Sequence, residues 1–408
     1  MGTDVLDTSG LNTSGHPAAP PVEPAGWFAR LSPLAARGVL AVLLAVLVAS
    51  MIAPTNKPGN RSPWQALIDG GAVEGPVDAS GKAVDTPDQP YDEDIALYEV
   101  AIERIARGEH YYDFIVPEQR ARDYPVNPGI AVRLPTLAYI DAWLGKTGQL
   151  VAAIVLMLAI IAVWWRRLSE EPEDRGRVRR LGTALVFVGA SLGLNRHYFP
   201  LHELWAGGLM ALSFGLHRIG RNGQGGRWIA AFLVAALALA IREHTLPYVL
   251  LMAAFALWQR NWREGAAWVL LLVLFFAALY WHLALIARDV LPSDRHGPPW
   301  LVLRGITGWL ANVVQSSNLR WLPHFLAGPA VILMTFGWLG WRSRSGLFGF
   351  LLCAGYGVAF MIAGRWDNFY WGAMIAPAMF AGIVFAPRAL AQLLAAARID
   401  LRRGGAAN

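Results

Sequence analysis

Residues 265–287 read GAAWVLLLVLFFAALYWHLALIA, an apolar segment that contains no Asp, Glu, Lys or Arg. About 20 apolar residues in a helix suffice to cross the hydrocarbon core of a bilayer, so this segment is long enough to span it. The chain has 408 residues, of which 55% are hydrophobic and only 16% are charged. Because the apolar residues come in blocks, the sequence predicts an all-α, polytopic membrane protein.

Nine further apolar stretches resemble the first, which predicts about ten transmembrane helices. The ten spans lie at about 34–53, 148–165, 181–195, 200–217, 228–241, 246–259, 265–287, 324–341, 347–363 and 369–387. Residues 1–33 are rich in Pro, Gly, Ser and Ala and are predicted to form a disordered tail before a transmembrane domain, 34–408. Two long polar segments, 54–147 and 288–322, are predicted to be loops on the same side of the membrane.

Arginines are distributed unequally between the two kinds of connecting loop. The loops after the second, fourth, sixth and eighth spans, together with the C-terminal tail, are rich in Arg. The positive-inside rule therefore places both termini in the cytoplasm and makes 54–147 the first periplasmic loop. The same bias explains the net charge of +6 without nucleic-acid binding. High Ala, Arg and Gly usage indicates a GC-rich bacterial genome, and hence the bacterial cytoplasmic membrane.

The first outer loop contains an amphipathic pattern. From Asp92 to Arg107, apolar residues recur at steps of three and four, which predicts a helix at the membrane surface. The apolar segment 129–145 is interrupted by Arg133, Pro135 and Asp141 and is predicted to be a second interfacial helix rather than a span. The only cysteine, Cys353, lies in an apolar span, which excludes a disulfide within the chain.

Polar clusters gather on the predicted outer face. They are Tyr91-Asp92-Glu93-Asp94, Arg196-His197, His202-Glu203, Arg242-Glu243-His244, Asp294-Arg295-His296 and Arg365-Trp366-Asp367. Ionisable groups at the edge of a membrane usually line a wet cavity, so these clusters predict an active site.

The residue types of these clusters suit transfer from a phosphate carrier. An acid of Asp92-Glu93-Asp94 can act as a general base, although acids are also common in the first turn of a helix as caps. Arginines neutralise phosphate bidentately, and histidines can donate hydrogen bonds to it. The His/Glu clusters lack metal-ligand spacing such as HExxH, so a divalent metal is not favoured and no cofactor is predicted.

The run YDEDIALYEVAIERIARGEHYYDF, 91–114, resembles the start of the first outer loop in the GT-C superfamily of integral-membrane glycosyltransferases, which includes protein O-mannosyltransferases and aminoarabinose transferases. The resemblance implies transfer of a sugar from a polyprenyl-phosphate donor to a hydroxyl of a glycan, lipid or protein acceptor. It also implies that the base is an acid of a D-E motif. Asp92-Glu93 matches that motif by letters and is preferred, while Asp94 has Tyr98 four residues later, as in members that read DExxY.

A secondary transporter or lipid flippase is the main alternative. Its charged residues are expected near the middle of the bilayer, often within inverted repeats and broken helices. Here the charges gather at one face and the first outer loop is large, which favours an enzyme. The expected partners are the lipid-linked sugar, the acceptor and membrane lipids, with no nucleic acid.

Overall fold

The computed structural model describes residues 26–57, 90–170, 175–219 and 228–399. Within these ranges the regular elements are helices, and no β-strand occurs; an isolated bridge joins Asn127 to His296. The prediction of a disordered tail concerns residues that lie mostly outside the described ranges. The all-α class predicted from the sequence is confirmed.

Fourteen α-helices are defined in these ranges. They are α1 (Pro33–Ile52), α2 (Pro90–Ala106), α3 (Tyr111–Ala121), α4 (Thr136–Leu168), α5 (Arg175–Ala190), α6 (His202–Leu216), α7 (Trp228–Ile241), α8 (Leu246–Trp258), α9 (Trp262–Ala287), α10 (Ile306–Gln315), α11 (His324–Gly337), α12 (Arg344–Ile362), α13 (Ala376–Met379) and α14 (Ala386–Ala396).

Several of these helices are long and apolar enough to cross a membrane. By length and composition, five segments of the described ranges qualify, namely 33–52, 129–168, 262–287, 344–362 and 376–396. Shorter apolar helices cover 228–241 and 324–340. The chain is therefore a polytopic helical membrane protein.

The last predicted span is not one continuous α-helix. Residues 369–387 belong to the 3-10 helices Trp366–Met374 and Phe380–Phe385 and to the short α13 between them, with α14 following. Glycines in this stretch allow very close packing, because a Cβ on Gly372 would overlap the carbonyl of Asn312 and one on Gly382 would overlap that of Met334. Dense backbone packing and Pro377, which lacks an N–H, account for the departure from regular α-helix.

The helices of the predicted first outer loop pack on their own small core. Tyr111, Phe114, Val116 and Val132 are buried there together with Ile286 from the end of α9. The apolar side of α2 packs against α4, whereas Glu99 and Glu103 on its other side are exposed. The amphipathic pattern of the sequence is thus explained by protein packing on one side and solvent on the other.

The second long loop contains a helix that the sequence reading did not identify. α10 packs against Trp366–Met374 and against α12, and it buries Leu310, Val313 and Val314. At ten residues it is too short to span a bilayer and carries its apolar side inward. This helix fixes the position of the 3-10 segment that carries Tyr370 and Trp371.

α4 changes direction at Gly145, where φ is +62°. This left-handed conformation is strained for residues with a Cβ, although no neighbouring atom lies within 4 Å of the Cβ position. We expect Gly145→Ala to lower the free energy of unfolding by about 1–2 kcal/mol, measured by denaturant titration in micelles. Gly355→Ala is the control, because Gly355 also has an open Cβ position but no positive φ; an equal loss in both variants would contradict the conformational explanation.

Arginines of different predicted inner loops meet at one end of the bundle. Arg167 donates to the Ser345 hydroxyl over 2.5 Å, and Arg37 donates to the carbonyl of Ala397 over 3.1 Å. Arg218 and Arg167 both pair with Glu170. These contacts join the start of α1 to the end of α14, and the ends of α4 and α6 to the start of α12.

Candidate active site

A cavity of about 260 Å³ lies among the segments that carry the predicted outer clusters. Its walls come from the turn before α4, the α7–α8 turn, α12 and the 3-10 segment Trp366–Met374, with Trp300 on one side. Apolar groups such as Pro247 and Phe360 alternate with Arg133, Glu243 and His244. An apolar pocket with a few converging polar groups is typical of a substrate site.

A hydrogen-bonded chain of side chains approaches the cavity from α2. The Tyr370 hydroxyl donates to Asp94 Oδ2 over 3.3 Å and accepts from Arg133 Nη2 over 3.3 Å. Arg133 Nε donates to the Tyr98 hydroxyl over 3.0 Å. Tyr370 therefore connects the carboxylate of Asp94 to a guanidinium that lines the cavity.

Arg133 differs from the other arginines of the site because its hydrogen-bonding partners in the described part of the chain are both phenols. A phenol stays neutral near pH 7, so it orients the guanidinium without neutralising it. Arg133 thus presents at the cavity wall a guanidinium that no carboxylate within 4 Å pairs with among the described residues, although Glu203, Glu243 and Asp94 are near enough to act on its charge.

Arg242 forms a separate and more deeply buried charge cluster. Its side chain is fully buried and lies 2.8 Å from Glu203 Oε1 and 2.6 Å from Glu243 Oε1. His244 Nδ1 hydrogen-bonds the same oxygen of Glu243 over 3.0 Å. Two carboxylates already balance Arg242, so its role is to hold Glu203 and Glu243 in place rather than to receive a ligand.

The ionisation of the groups in the turn and on α2 follows from this arrangement. Burial alone would raise the pKa of Glu243, but Arg242 and the hydrogen bond from His244 outweigh it, and the pKa falls well below its ordinary value. Burial and Arg242 lower the pKa of His244, which keeps the imidazole neutral. Burial raises the pKa of Asp94, partly opposed by Arg133 and by the hydroxyl of Tyr370. A carboxyl with a raised pKa is a better proton acceptor.

We expect Arg242→Met to reduce the free energy of unfolding by about 3–5 kcal/mol, because it leaves two carboxylates near one another without their cation. Unfolding in detergent micelles, followed by circular dichroism, measures this change. Adding Glu203→Gln and Glu243→Gln to the variant should restore part of the loss. Arg295→Gln is the matched control, since its pair with Asp123 is exposed and should contribute at most about 1 kcal/mol. Equal losses in the two single variants would contradict the buried-cluster interpretation.

Aromatic groups complete the walls of the cavity. The ring of His244 packs against Trp371 with centroids 4.4 Å apart. Tyr356 donates a hydrogen bond to the carbonyl of His244 over 2.6 Å, which fixes the α7–α8 turn against α12. Trp300 and Trp371 both line the cavity, and flat aromatic faces of this kind can pack against the apolar side of a sugar ring.

The structure brings together half of the twelve candidate site residues that the sequence singled out. Asp94, Glu203, Arg242, Glu243 and His244 belong to the site as described, and His202 packs edge-on against Tyr98 with ring centroids 5.2 Å apart. The side chains of Asp92 and Glu93 lie outside the described residues, so the preference for Asp92 as base stays a prediction.

Of the predicted substrate-binding residues, Glu243 and His244 line this cavity, whereas His202, Glu203 and Arg242 do not. Four others do not line it either. Arg196 and His197 are exposed on a 3-10 turn before α6. Asp367 is exposed and pairs with Lys57 over 3.3 Å. Arg365 is half-buried, and its backbone N–H donates to the Asn368 side chain.

Sequence reasoning missed Arg133, Tyr370 and Trp371 as site residues. The only signal for Arg133 was its charge within the apolar segment 129–145, and that segment was predicted to be an interfacial helix. Tyr370 and Trp371 lie within a predicted span, where aromatic residues are common. Among the described residues, no three His, Cys, Asp or Glu side chains come together as a metal site; the prediction of a metal-independent reaction stays a prediction.

Helical bundles with a polar cavity near one end define a class of membrane protein rather than a single activity. No protein-family model matches the chain, and no curated protein matches it. Among solved structures, the chain is similar to ArnT from Cupriavidus metallidurans in the apo state, with 13% identity over 88% of this chain and a TM-score of 0.47. The chain spans 62% of the length of that protein. Similarity this distant leaves the function to be argued from the site.

Proposed function

We propose that the chain is a membrane glycosyltransferase that transfers a sugar from a polyprenyl-phosphate donor to an acceptor hydroxyl. The observation that carries this proposal is the connection of Asp94 to Arg133 through the hydroxyl of Tyr370. It links a proton acceptor to a guanidinium that lines the cavity and has no ion-pair partner within 4 Å among the described residues, and these are the two kinds of group that displacement of a lipid phosphate needs. The resemblance of residues 91–114 to GT-C enzymes supports the same reaction.

In the proposed reaction, the Asp94 carboxylate takes the proton of the acceptor hydroxyl as its oxygen attacks the anomeric carbon. The bond between that carbon and the phosphate oxygen breaks, and its electron pair leaves with the lipid phosphate. The result is a single displacement with inversion at the anomeric carbon. The acceptor oxygen replaces the phosphate, and the proton remains on Asp94 until it is released.

Arg133 is the group that the proposal assigns to the leaving phosphate. The donor is a phosphodiester with one negative charge, and the phosphate gains a second when the sugar bond breaks. A guanidinium that faces the cavity stabilises this developing charge, so its contribution is greatest in the transition state. Arg242 is less suited because Glu203 and Glu243 already neutralise it.

The proposal extends to topology and location. We infer about ten spans, cytoplasmic termini, and a cavity facing the periplasm of a bacterial cytoplasmic membrane, as the distribution of arginine indicates. The acceptor is a glycan, a lipid or a protein.

Sugar transfer by the purified full-length protein tests the proposal. Radiolabelled polyprenyl-phosphate sugars serve as donors in nanodiscs, with a bacterial membrane lipid extract and cell-wall glycan as acceptors. Label that moves from the donor to an acceptor, with release of polyprenyl phosphate, supports the glycosyltransferase. Movement of labelled lipid or solute across a liposome membrane, without any chemical transfer, would contradict it and favour the transporter or flippase.

The pH dependence of transfer should report on Asp94. Because the reaction needs the carboxylate, activity is present above its pKa and is lost as the pH falls through it; the raised pKa moves that loss to higher pH than for an ordinary aspartate. Tyr370→Phe removes a hydrogen-bond donor that lowers the pKa of Asp94. The acidic limb of the pH profile of kcat should therefore move to higher pH. An unchanged acidic limb in Tyr370→Phe, measured beside Tyr280→Phe on the exposed surface of α9, would contradict the assignment.

A further inference from the structure

The apolar segment 265–287 contains one histidine, His282, and no Asp, Glu, Lys or Arg. His282 lies on α9 and is only 2% exposed, whereas its neighbours Tyr280 and Trp281 are 76% and 62% exposed. The imidazole therefore faces the protein and not the surroundings of the helix. An ionisable side chain inside an apolar span is costly, so the groups that it contacts indicate its role.

Both ring nitrogens of His282 have partners in the predicted first outer loop. Nε2 lies 3.1 Å from the carbonyl oxygen of Val132, and Nδ1 lies 3.0 Å from the hydroxyl oxygen of Tyr112. A carbonyl can only accept a hydrogen bond, so Nε2 must carry a proton and donate it. The neutral imidazole then accepts at Nδ1 from the Tyr112 hydroxyl. His282 thus connects α9 both with α3 and with the residue that precedes Arg133.

Side chains hold the backbone on both sides of Arg133. Residues 132–135 connect a 3-10 turn to α4 and are not helical themselves. The Val132 carbonyl accepts from His282, and the Arg133 carbonyl accepts from the hydroxyl of Tyr111 over 2.8 Å. These carbonyls belong to the two peptide planes that meet at the Cα of Arg133. Because a peptide unit is planar and rigid, holding both planes also fixes the direction of the side chain.

Apolar packing reinforces this anchor. Val132 is buried in the small core that also contains Tyr111 and Ile286. Ile286 follows His282 by four residues, so the two side chains lie one above the other on the same face of α9. One face of α9 therefore holds the segment before α4 both by a hydrogen bond and by burial of apolar groups.

We propose that His282 is a positioning residue for Arg133, which it holds in place through the carbonyl of Val132 while Tyr112 orients the imidazole. This inference rests on the proposed function, in which Arg133 stabilises the leaving phosphate. His282 is not among the residues that line the cavity, so its effect on the reaction passes through Arg133. Misplacement of a catalytic group by about 1 Å can reduce a rate by about 10²-fold.

Transfer rates of single and double variants of the full-length protein in nanodiscs test the proposal. His282→Leu should lower kcat by about 10²-fold, and Arg133→Gln should lower it by about 10³-fold. If His282 acts through Arg133, the double variant should lose no more than Arg133→Gln alone. Independent effects would instead multiply to about 10⁵-fold, and a loss of that size would overturn the proposal.

Conservative variants separate positioning from folding. His282→Gln keeps an N–H that can donate to the carbonyl of Val132, and it should recover most of kcat. Tyr112→Phe removes only the hydroxyl of a partly exposed side chain and should lower kcat about five-fold, the effect of one ordinary hydrogen bond. Tyr280→Leu, on the exposed side of the same helix, is the matched control and should leave kcat unchanged. A loss in His282→Gln as large as that in His282→Leu would contradict the positioning role.

Hydrogen–deuterium exchange gives a readout that does not depend on the reaction. His282→Leu should speed exchange of the amides in 129–134 by about ten-fold, because a buried carbonyl loses its donor; Tyr280→Leu should not. Unchanged exchange in this segment would overturn the proposal, as would faster exchange with unchanged kcat. If exchange rises in this way but the wild-type protein transfers no sugar, the proposed function fails while the anchoring of Arg133 by His282 is supported.

Discussion

Asp94→Asn is expected to lower kcat for sugar transfer by about 10²–10⁴-fold, the contribution of a positioned general base. The amide keeps the size of the side chain and can still accept a hydrogen bond from the hydroxyl of Tyr370. It cannot take a proton from the acceptor, so the loss should fall on kcat with little change in folding. Initial rates of transfer from a labelled donor, measured at pH 7 in nanodiscs, provide the value.

Two variants on the same helix make this result specific. Glu103→Gln removes an exposed carboxylate from the opposite side of α2 and should leave the rate unchanged. Asp92→Asn tests the other candidate for the base. A large loss in Asp92→Asn together with near-normal activity in Asp94→Asn would refute the role of Asp94 and assign the base to the first acid of the D-E pair.

Arg133→Gln should reduce kcat by about 10³-fold, within the range seen when a cation that stabilises a transferring phosphate is removed. The charge on the phosphate increases as the sugar bond breaks, so kcat should change more than KM. Arg133→Lys restores the charge but not the planar pair of donors, and should recover only part of the rate. Steady-state kinetics over a range of donor concentrations separate the two parameters.

The control for Arg133 is Arg107→Gln, an arginine of the predicted outer face with a side chain that is 62% exposed. It should leave both kinetic parameters unchanged. A rise in KM alone for Arg133→Gln would indicate that Arg133 binds the donor before the reaction without stabilising the leaving group. Full activity in that variant would remove Arg133 from the site and reopen the assignment to Arg242.

The part of the active site that could be predicted came from clusters of adjacent polar residues. His202-Glu203 and Arg242-Glu243-His244 were identifiable because ionisable residues beside apolar spans are costly unless they have a role. Arg133 and Tyr370 were not identifiable, since each is a single polar residue in an apolar stretch. Arg196 and His197 were predicted to belong to the site but do not line the cavity. The sequence shows that they lie at the end of a span, but it does not show in which direction their side chains point.

The sequence by itself determined the class of protein and most helix positions. Apolar segments such as 228–241, which coincide with α7, follow from local hydrophobicity, because a bilayer requires every spanning backbone to satisfy its own hydrogen bonds. Only the tertiary structure decided which polar residues meet. Asp94 and Tyr370 lie 276 positions apart, and their contact depends on the packing of α2 on α4 and of α10 on the 3-10 segment. Such a contact is a product of several long-range packing energies, and no local pattern of residues encodes it.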